Sequence, residues 1–448
     1  MSRYSFKSII TCAALLLAAS NAGAVVNTLA YYRLGEADPG AGNGVTANTT
    51  VDSSAFGFNG MTRLNTATPT YTNATAPGSS LGVSFDGDAP DSNDALGRAL
   101  PVTTTQNNFG IEARVFVRDN TNGLIAYNGR GGGPAGGWGL YVAGGNYSGL
   151  FANINFNDTG IAPTLNTWQD IALVRNNGVN QFYINGVLVA TNLGGNAGPQ
   201  KPTSDAPGVT FGGFKIGGDY NAVHNAAGTT TDEFNGIVDE VRVFTFAPGS
   251  FAATDLLANG AKIQPQTLMF KNSFEAADAG KFTAAGNGGV TSGAGYGIGS
   301  GTNGANLFAF NGGGQTPNAV VESTFFTIAG AEGALAFDYG NFGANQPQQM
   351  RVEMFDVATN TVLLSQIIND GGGTNTLGLF EPYMFNFTAL GSSTRLRFTD
   401  VNAGDVGSSD GMLDNIRVVQ FAIIPEPATA MLGLLSVAGL MIRRRRNA

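Results

Sequence analysis

Between Leu29 and Val419 the chain is a succession of short segments in which apolar and polar residues alternate, and no stretch sustains a helical period. The alternation is plainest in Ile111–Val117 and Ile237–Phe244. A period of two sets one face of a strand on a core and the other toward solvent, so each segment needs partners on both edges and a second sheet across its apolar face. Glycine supplies 65 of the 448 residues, about twice its usual share, and charged residues only 12 %. Many tight turns between short strands follow from that balance. The chain is therefore expected to be all-β, built from antiparallel β-sandwich or jelly-roll domains.

In the first half strands are predicted at 29–33, 82–85, 109–117, 123–127, 138–143, 150–156, 168–176, 180–184, 187–191, 214–217 and 236–244. Asn185-Gly186 between two of them is a hairpin signal, because both positions of a type I′ turn need positive φ. A short helix is expected at Phe251–Ala258, ended by Gly260. After a polar, proline-containing linker at 262–267, strands are predicted at 269–274, 308–310, 320–328, 334–339, 350–357, 362–368, 383–387, 394–398 and 411–419. The halves show no broad repeat, although both end in a strand of the form Asp-x-x-Arg-Val.

The two ends read as processing segments. Arg3 and Lys7 precede an apolar run at Ile9–Ala19, and Ala22-Gly23-Ala24 offers an A-x-A cleavage site, so residues 1–24 read as a signal peptide for signal peptidase. At the other end Pro425-Glu426-Pro427 is followed by apolar Ala428–Ile442 and by Arg443, Arg444, Arg445 and Arg446. Fifteen apolar residues fall short of the roughly 20 that span a bilayer comfortably, and the arginines would hold their end on the cytoplasmic side. The order of these parts over 423–448 resembles the PEP-CTERM sorting signal of Gram-negative exopolysaccharide producers. That resemblance implies recognition by an exosortase-type membrane enzyme, with the short transmembrane helix anchoring the chain transiently in the inner membrane before delivery to the cell surface, outer membrane or extracellular matrix.

Removing Arg3, Lys7 and the four tail arginines from 23 basic residues, and Glu426 from 32 acidic ones, leaves 17 against 31, a net charge near −14. Such a surface repels nucleic acid and anionic lipid. Cys12, the only cysteine, lies in the leader, so disulfides, thiolate metal sites and thiol nucleophiles are excluded from the exported part. His224, the single histidine, sits in a polar loop, and multi-histidine zinc sites cannot form.

Trp168–Val174, Phe182–Gly186 and Phe234–Val243, with Ser84–Gly87 and Asn108–Arg114 before them, resemble the strands of a laminin-G-like, concanavalin A-like jelly roll over 25–261. Asn272–Glu275 and Gly411–Val418 resemble the two ends of a carbohydrate-binding-module jelly roll over 268–422. The second resemblance implies a structural Ca2+ held by Glu275, near the first strand, and Asp414, in the last, with Asp278 and Asp405 as weaker candidates. Oxygen-rich acidic loops suit that hard cation. Asp86 and Asp88, in the acidic loop Asp86–Asp94, are further candidates, although the loop lacks the spacing of an EF-hand. Asp239 reads equally as a buried carboxylate satisfied by backbone donors. Exposed aromatic faces that could stack on a sugar are sought in Trp138, Tyr141 and Tyr147, with core packing as the competing reading, while Trp168 is expected in the core.

Gly299–Gly304 formally matches G-x-G-x-x-G but opens no helix, and the glycine run 129–137 lacks the lysine of a phosphate-binding loop. The three alternating acids that several glycosidases of this fold carry on one strand are absent. The sequence thus points to an exported, non-catalytic binding or adhesion protein that recognises polysaccharide or a surface protein through sandwich loops. Its alternatives are a secreted polysaccharide-degrading enzyme with an appended binding module and a purely structural matrix component.

Overall fold

The computed structural model describes residues 26–57, 62–64, 69–87, 95–98, 108–128, 138–151, 155–191, 209–211, 234–261, 266–296, 303–310, 318–342, 348–370, 380–401 and 410–421. The expected signal peptide, including Ala22 and Ala24, the sorting segment from Pro425 to Arg446, Asp88, Asp405, His224 and the predicted strand 214–217 lie outside them. Among the described residues no helix is long and apolar enough to cross a membrane.

The first half contains strands β1 (Val26–Tyr32), β2 (Thr62–Leu64), β3 (Thr70–Thr72), β4 (Gly82–Asp86), β5 (Ala95–Arg98), β6 (Phe109–Val117), β7 (Gly123–Asn128), β8 (Trp138–Ala143), β9 (Asn146–Phe151), β10 (Asn155–Asp158), β11 (Trp168–Asn176), β12 (Val179–Ile184), β13 (Val187–Thr191), β14 (Val209–Phe211) and β15 (Asn235–Phe246). One sheet runs β13-β12-β11-β6-β15-β4-β3, with β1 also on β15, and the other runs β10-β9-β8-β7-β14-β5-β2. Every pairing is antiparallel. The sheets face each other across a core that includes Ile111, Val115, Leu140, Val142, Leu173, Phe182 and Val243. Asn185 and Gly186 take φ of 49° and 76°, as the type I′ turn requires. The expected helix at 251–258 is two 3-10 turns, Ala253–Asp255 and Leu257–Asn259, closed by Gly260 in the left-handed region. The predicted 150–156 strand is broken into β9 and β10, which pair with each other.

The second half contains β16 (Gln266–Asn272), β17 (Thr283–Ala285), β18 (Gly288–Ser292), β19 (Asn306–Phe310), β20 (Val320–Phe326), β21 (Glu332–Phe342), β22 (Gln348–Asp356), β23 (Val362–Asp370), β24 (Phe380–Thr388), β25 (Ser393–Asp400) and β26 (Asp410–Phe421). Gln266 and Thr267, read as linker in the sequence, already belong to β16. The sheets are β18-β19-β26-β21-β24, joined by β16 on β26, and β17-β20-β25-β22-β23. Their shared core includes Phe308, Leu335, Met350, Val352, Leu396, Phe398 and Val418.

The two sandwiches repeat one construction around their closing strands. β15 keeps β6 along one edge, while its other edge pairs first with β4 (Val83 opposite Val238) and then with β1 (Tyr32 opposite Val241). β26 likewise keeps β21 on one edge, and pairs first with β19 (Phe308 opposite Leu413) and then with β16 (Asn272 opposite Ile416). Gly236–Val243 and Gly411–Val418 occupy the same places in the two forks. Both begin on glycine because another group fills the Cβ position: the Phe116 carbonyl 2.5 Å away in the first, the Tyr339 hydroxyl 2.6 Å away in the second. At the point of each fork the strand turns through a residue of positive φ, Glu240 at 50° and Asn415 at 54°. After β1 and β16 the chain makes the same turn, through buried Leu34 and Phe274 with φ of 49° and 58°.

The arginine that follows each fork is fixed on the outer face of its sheet. Arg242, fully buried, pairs with Glu112 and donates 2.5 Å to the Asp255 carbonyl, so the 3-10 turns cover that face together with Phe244, Phe246, Tyr183 and Leu256. Arg417 instead donates to the carbonyls of Phe56 and Gly57, in the first half of the chain. Gln266 bridges the halves as well, donating 2.7 Å to the Thr28 carbonyl and accepting 2.9 Å from the Ala55 amide. Phe56 belongs to the same continuous apolar cluster as Ala334, Ala336, Met384, Val419 and Phe421. The outer face of the second sandwich is thus covered by the first.

Candidate functional site

Where β4 and β1 part company on β15, no strand fills the gap, and the backbone kink at Glu240 sends adjacent carboxylates into it. The loop after β1 adds a third. Carboxylate oxygens of Glu36, Asp239 and Glu240 all lie within 4.8 Å of one another. The three are not equivalent. Glu240 accepts from the Tyr31 hydroxyl and lies 3.4 Å from the Arg33 guanidinium, so its charge is balanced within the protein. Burial opposes ionisation of Glu36, but the Ser79 hydroxyl and the Ser80 amide, at 2.7 Å, hold its carboxyl below the ordinary range. Asp239 is 0 % exposed and burial pushes it up to about 8, the neighbouring Glu240 and Glu36 adding to the rise.

One oxygen of Asp239 accepts the Glu240 amide at 2.8 Å. The other, Oδ2, is buried with no hydrogen-bond partner, as is Oε2 of Glu36. The Ser79 hydroxyl stands within reach of Glu36, of the Leu81 carbonyl at 2.9 Å and of Asp239, whose rise it tempers, but its single proton serves one acceptor at a time. Two orphaned carboxylate oxygens in one buried gap need either a proton or a cation. This donor set fits a hard cation, with Glu36 and Asp239 as the carboxylates free to hold it.

The equivalent gap in the second sandwich is built differently. Asp414 accepts from the Asn303 amide at 2.9 Å and from the Asn415 amide at 2.6 Å. Glu275 accepts from the Asn306 backbone and side-chain nitrogens at 2.7 and 3.0 Å. Asn415 replaces the third acid, and its amide bridges to Asp338 and Asn303 at 2.9 and 3.1 Å. Asn303 lies just before β19 and Asn306 opens it, where Ser79 lies before β4. Glu275 and Asp414 are thus both bonded to the Asn303–Asn306 segment, and each carboxylate has amide donors as partners. Asp278 is spoken for too: burial opposes its ionisation, while Lys281 at 2.5 Å and the Ser273 amide and hydroxyl at 2.7 and 2.9 Å hold it below the ordinary range. Asp86 lies exposed at the end of β4, away from both gaps.

The aromatic candidates are corrected by burial. Trp138 is 1 % exposed and Tyr141 and Tyr147 are fully buried. The Trp138 ring packs 4.3 Å from Phe109, Tyr147 stacks 6.0 Å from Phe182, and the Tyr147 hydroxyl donates to Gln169 at 3.1 Å. Trp138 on β8 and Tyr147 on β9 belong to the core between the sheets, and Tyr141 is buried on the opposite face of β8 from Leu140 and Val142, so none offers a face to a sugar. Trp168, expected inside, is half-buried on the outer side, with its ring 5.7 Å from Phe116. Glu36 and the first-sandwich gap escaped the sequence reading. The signal that could have found them was the shared Asp-x-x-Arg-Val ending, since a carboxylate matched to the second last strand has a counterpart in the first.

A feature of the facing sheet also concerns ligands. Thr62, Arg98, Val209, Asn128, Trp138, Phe151 and Asn155 stand along one edge of it, as the pairings from β2 through β10 show. The connections 58–61, 99–107, 129–137, 152–154 and 192–208 therefore all attach at that edge.

Residues 65–249 match the Laminin_G_3 family model, the concanavalin A-like lectin/glucanases superfamily. A concanavalin A-like lectin/glucanase domain thus accounts for most of the first sandwich, and β1 joins it from outside the matched stretch. No curated protein matches the chain. Among solved structures it is similar to domain 4 of AbnA, a GH43 extracellular arabinanase from Geobacillus stearothermophilus, at 18 % identity over 51 % of this chain and 98 % of that one, TM-score 0.35. The tandem CBM22 domain of Xyn10C from Paenibacillus barcinonensis aligns at 12 % identity over 90 % of this chain and 100 % of its own, TM-score 0.25. The K1 cleaved adhesin domain of Lys-gingipain from Porphyromonas gingivalis aligns at 15 % identity over 34 % and 96 %, TM-score 0.25.

Proposed function

We propose that this is an exported, non-catalytic binding protein that recognises neutral polysaccharide through connections gathered at one end of its first sandwich. The observation that carries the reading is the common edge from Thr62 to Asn155, at which five connections attach. A rigid scaffold that gathers its loops at one end leaves their sequences free to specify a ligand. Glycosidic cleavage would need paired carboxylates open to the scissile bond. Among the described residues the converging group is Glu36, Asp239 and Glu240, and Asp239 is wholly buried there. Those acids serve the scaffold, holding a structural Ca2+ between β4 and β1. The acidic surface favours a neutral glycan over nucleic acid. Export by the leader, and sorting of the apolar tail by an exosortase-type enzyme, place the protein at the cell surface or in the matrix.

The test is a glycan panel incubated with the full chain, read for retention and for new reducing ends. Retention on a neutral polysaccharide without release of reducing ends is expected. Release would overturn the non-catalytic reading, and silence across the panel would leave the structural-component alternative standing. An intact mass that still includes Arg443–Arg446 after export would remove the sorting enzyme from the account.

A further inference from the structure

One tip of the second sandwich carries no exposed charge. Three turns meet there: 326–331 after β20, 357–362 between β22 and β23, and 389–392 between β24 and β25. They are tied together by bonds from the Thr327 amide to the Ser392 carbonyl (3.0 Å), the Val357 amide to the Ser393 carbonyl (3.1 Å) and the Gly330 amide to the Ala389 carbonyl (2.7 Å). Their outward residues are uncharged: Phe326 is 62 % exposed, Leu390 55 %, Val362 52 %, Val357 47 % and Ile328 38 %, with Thr359, Asn360, Thr361 and Ser392 the exposed polar ones. In a chain with 32 acidic residues, three adjoining turns without one exposed carboxylate form a distinct surface. The nearest outward charges are Arg395, bonded to Asn360 at 2.8 Å, and Glu332 at the start of β21.

The last described strand finishes beside this tip. Gln420 accepts from the Ile328 amide at 2.7 Å and donates to the Ile328 and Ala331 carbonyls, and Phe421 is the next residue. Only seven steps separate Phe421 from Ala428, where the apolar run Ala428–Ile442 begins. Fully extended, they reach about 25 Å. A bilayer that receives Ala428–Ile442 must then lie close to this end of the sandwich.

We propose that the tip formed by Phe326, Ile328, Val357, Val362 and Leu390 is a membrane-facing surface that seats on the lipid interface while the tail is inserted. The inference rests on the proposed reading of the tail as a membrane segment. Turns that present apolar side chains and no charge of their own suit the interfacial zone, and acidic turns would be held off it. The contact orients the anchored protein, with the second sandwich against the bilayer and the end of β26 that begins at Asp410 directed away.

The exported part has no cysteine, so single probes can be placed cleanly. The exported chain, Val25–Ala448 without the leader, is reconstituted into phosphatidylcholine vesicles carrying headgroup nitroxides, with a fluorophore on Leu390→Cys, Ile328→Cys or, as the distant control, Val290→Cys. Retention through an alkaline wash reports tail insertion separately. Retained chains whose fluorescence is lost at positions 390 and 328 but kept at 290 are the expected result. Retention with all three probes unquenched would overturn the tip contact and leave the anchor intact. Loss of the chain in the wash would overturn both. Phe326→Ser with Val362→Ser should restore the fluorescence at 390 without lowering retention; continued quenching in that variant would also overturn the proposal.

Discussion

Replacing Asp239 by asparagine tests the first gap directly. Asp239 is pushed up to about 8, from an ordinary carboxylate value near 4. At about 1.4 kcal/mol for each tenfold, ionising it inside the cation-free fold costs on the order of 5 kcal/mol. A carboxyl raised in the folded state contributes fully below its unfolded pKa, and that contribution is lost as pH rises through the folded value. Cation-free protein should therefore melt progressively lower between pH 4 and about 8. Asparagine keeps the shape, can satisfy the same backbone donor and removes the titration, so the Asp239→Asn melting temperature should lose that slope and exceed the parent's at pH 8. Calcium at a hundredfold over its dissociation constant stabilises the parent by about 2.7 kcal/mol. For a domain of this size that is roughly 5–10 °C. The variant should show no calcium shift. The assay is thermal unfolding by circular dichroism over a pH series, with calcium or with chelator. A variant that keeps the parent's pH slope, or its calcium shift, would refute the assignment of Asp239 to that role.

Glu275→Gln with Asp414→Asn should leave the calcium shift of the parent unchanged, since those acids are already matched by amide donors; a lost shift in melting temperature would relocate the cation to the second sandwich. Arg242→Met leaves Glu112 buried without its partner and should cost about 3–5 kcal/mol in chemical denaturation. Arg417→Met strips two carbonyls of their donor and should cost about 2–3 kcal/mol. Calorimetry on that variant should resolve two transitions where a single one is expected of the parent, and a single unshifted transition would show that the Phe56–Gly57 contact does not couple the halves.

Strands were legible wherever their residues form a one-sided or wholly buried sheet. Phe109–Val117, Trp138–Ala143 and Trp168–Asn176 stand where the alternation and the flanking glycines place them, while the more exposed Val187–Thr191 was legible from the Asn185-Gly186 turn before it. The strands that went unread, β2, β3, β5, β14, β17 and β18, are three to five residues long, too short for a period to declare itself. Partnership between sheets was less legible. The Asp-x-x-Arg-Val ending was visible, but that it marks a fork depends on β1 and β4 arriving from sites far off in the chain. The sugar-stacking candidates failed for a simpler reason: an aromatic beside a glycine-rich turn is as well placed to be covered, and Trp138 and Tyr147 join the core between the sheets while Tyr141 is buried on the other face of β8. The acidic gap of the first sandwich needed Glu36, whose position relative to Asp239 no local pattern encodes.

The shared covering between the halves has a consequence for how the protein is made. Synthesis delivers β1 and β4 early, yet they have no central partner until β15, after residue 234, has followed. Contacts of such long sequence separation form slowly, and open strand edges invite association with other chains in the meantime. Only after that closure does the turn bearing Phe56 and Gly57 stand ready to receive Arg417 from the last strand to arrive. Assembly is thus ordered by the fold itself, the first sandwich acting as the template on which the second is completed. A chain interrupted before residue 234 would leave β6 and β4 flanking an empty place, the form in which this protein is most exposed to aggregation.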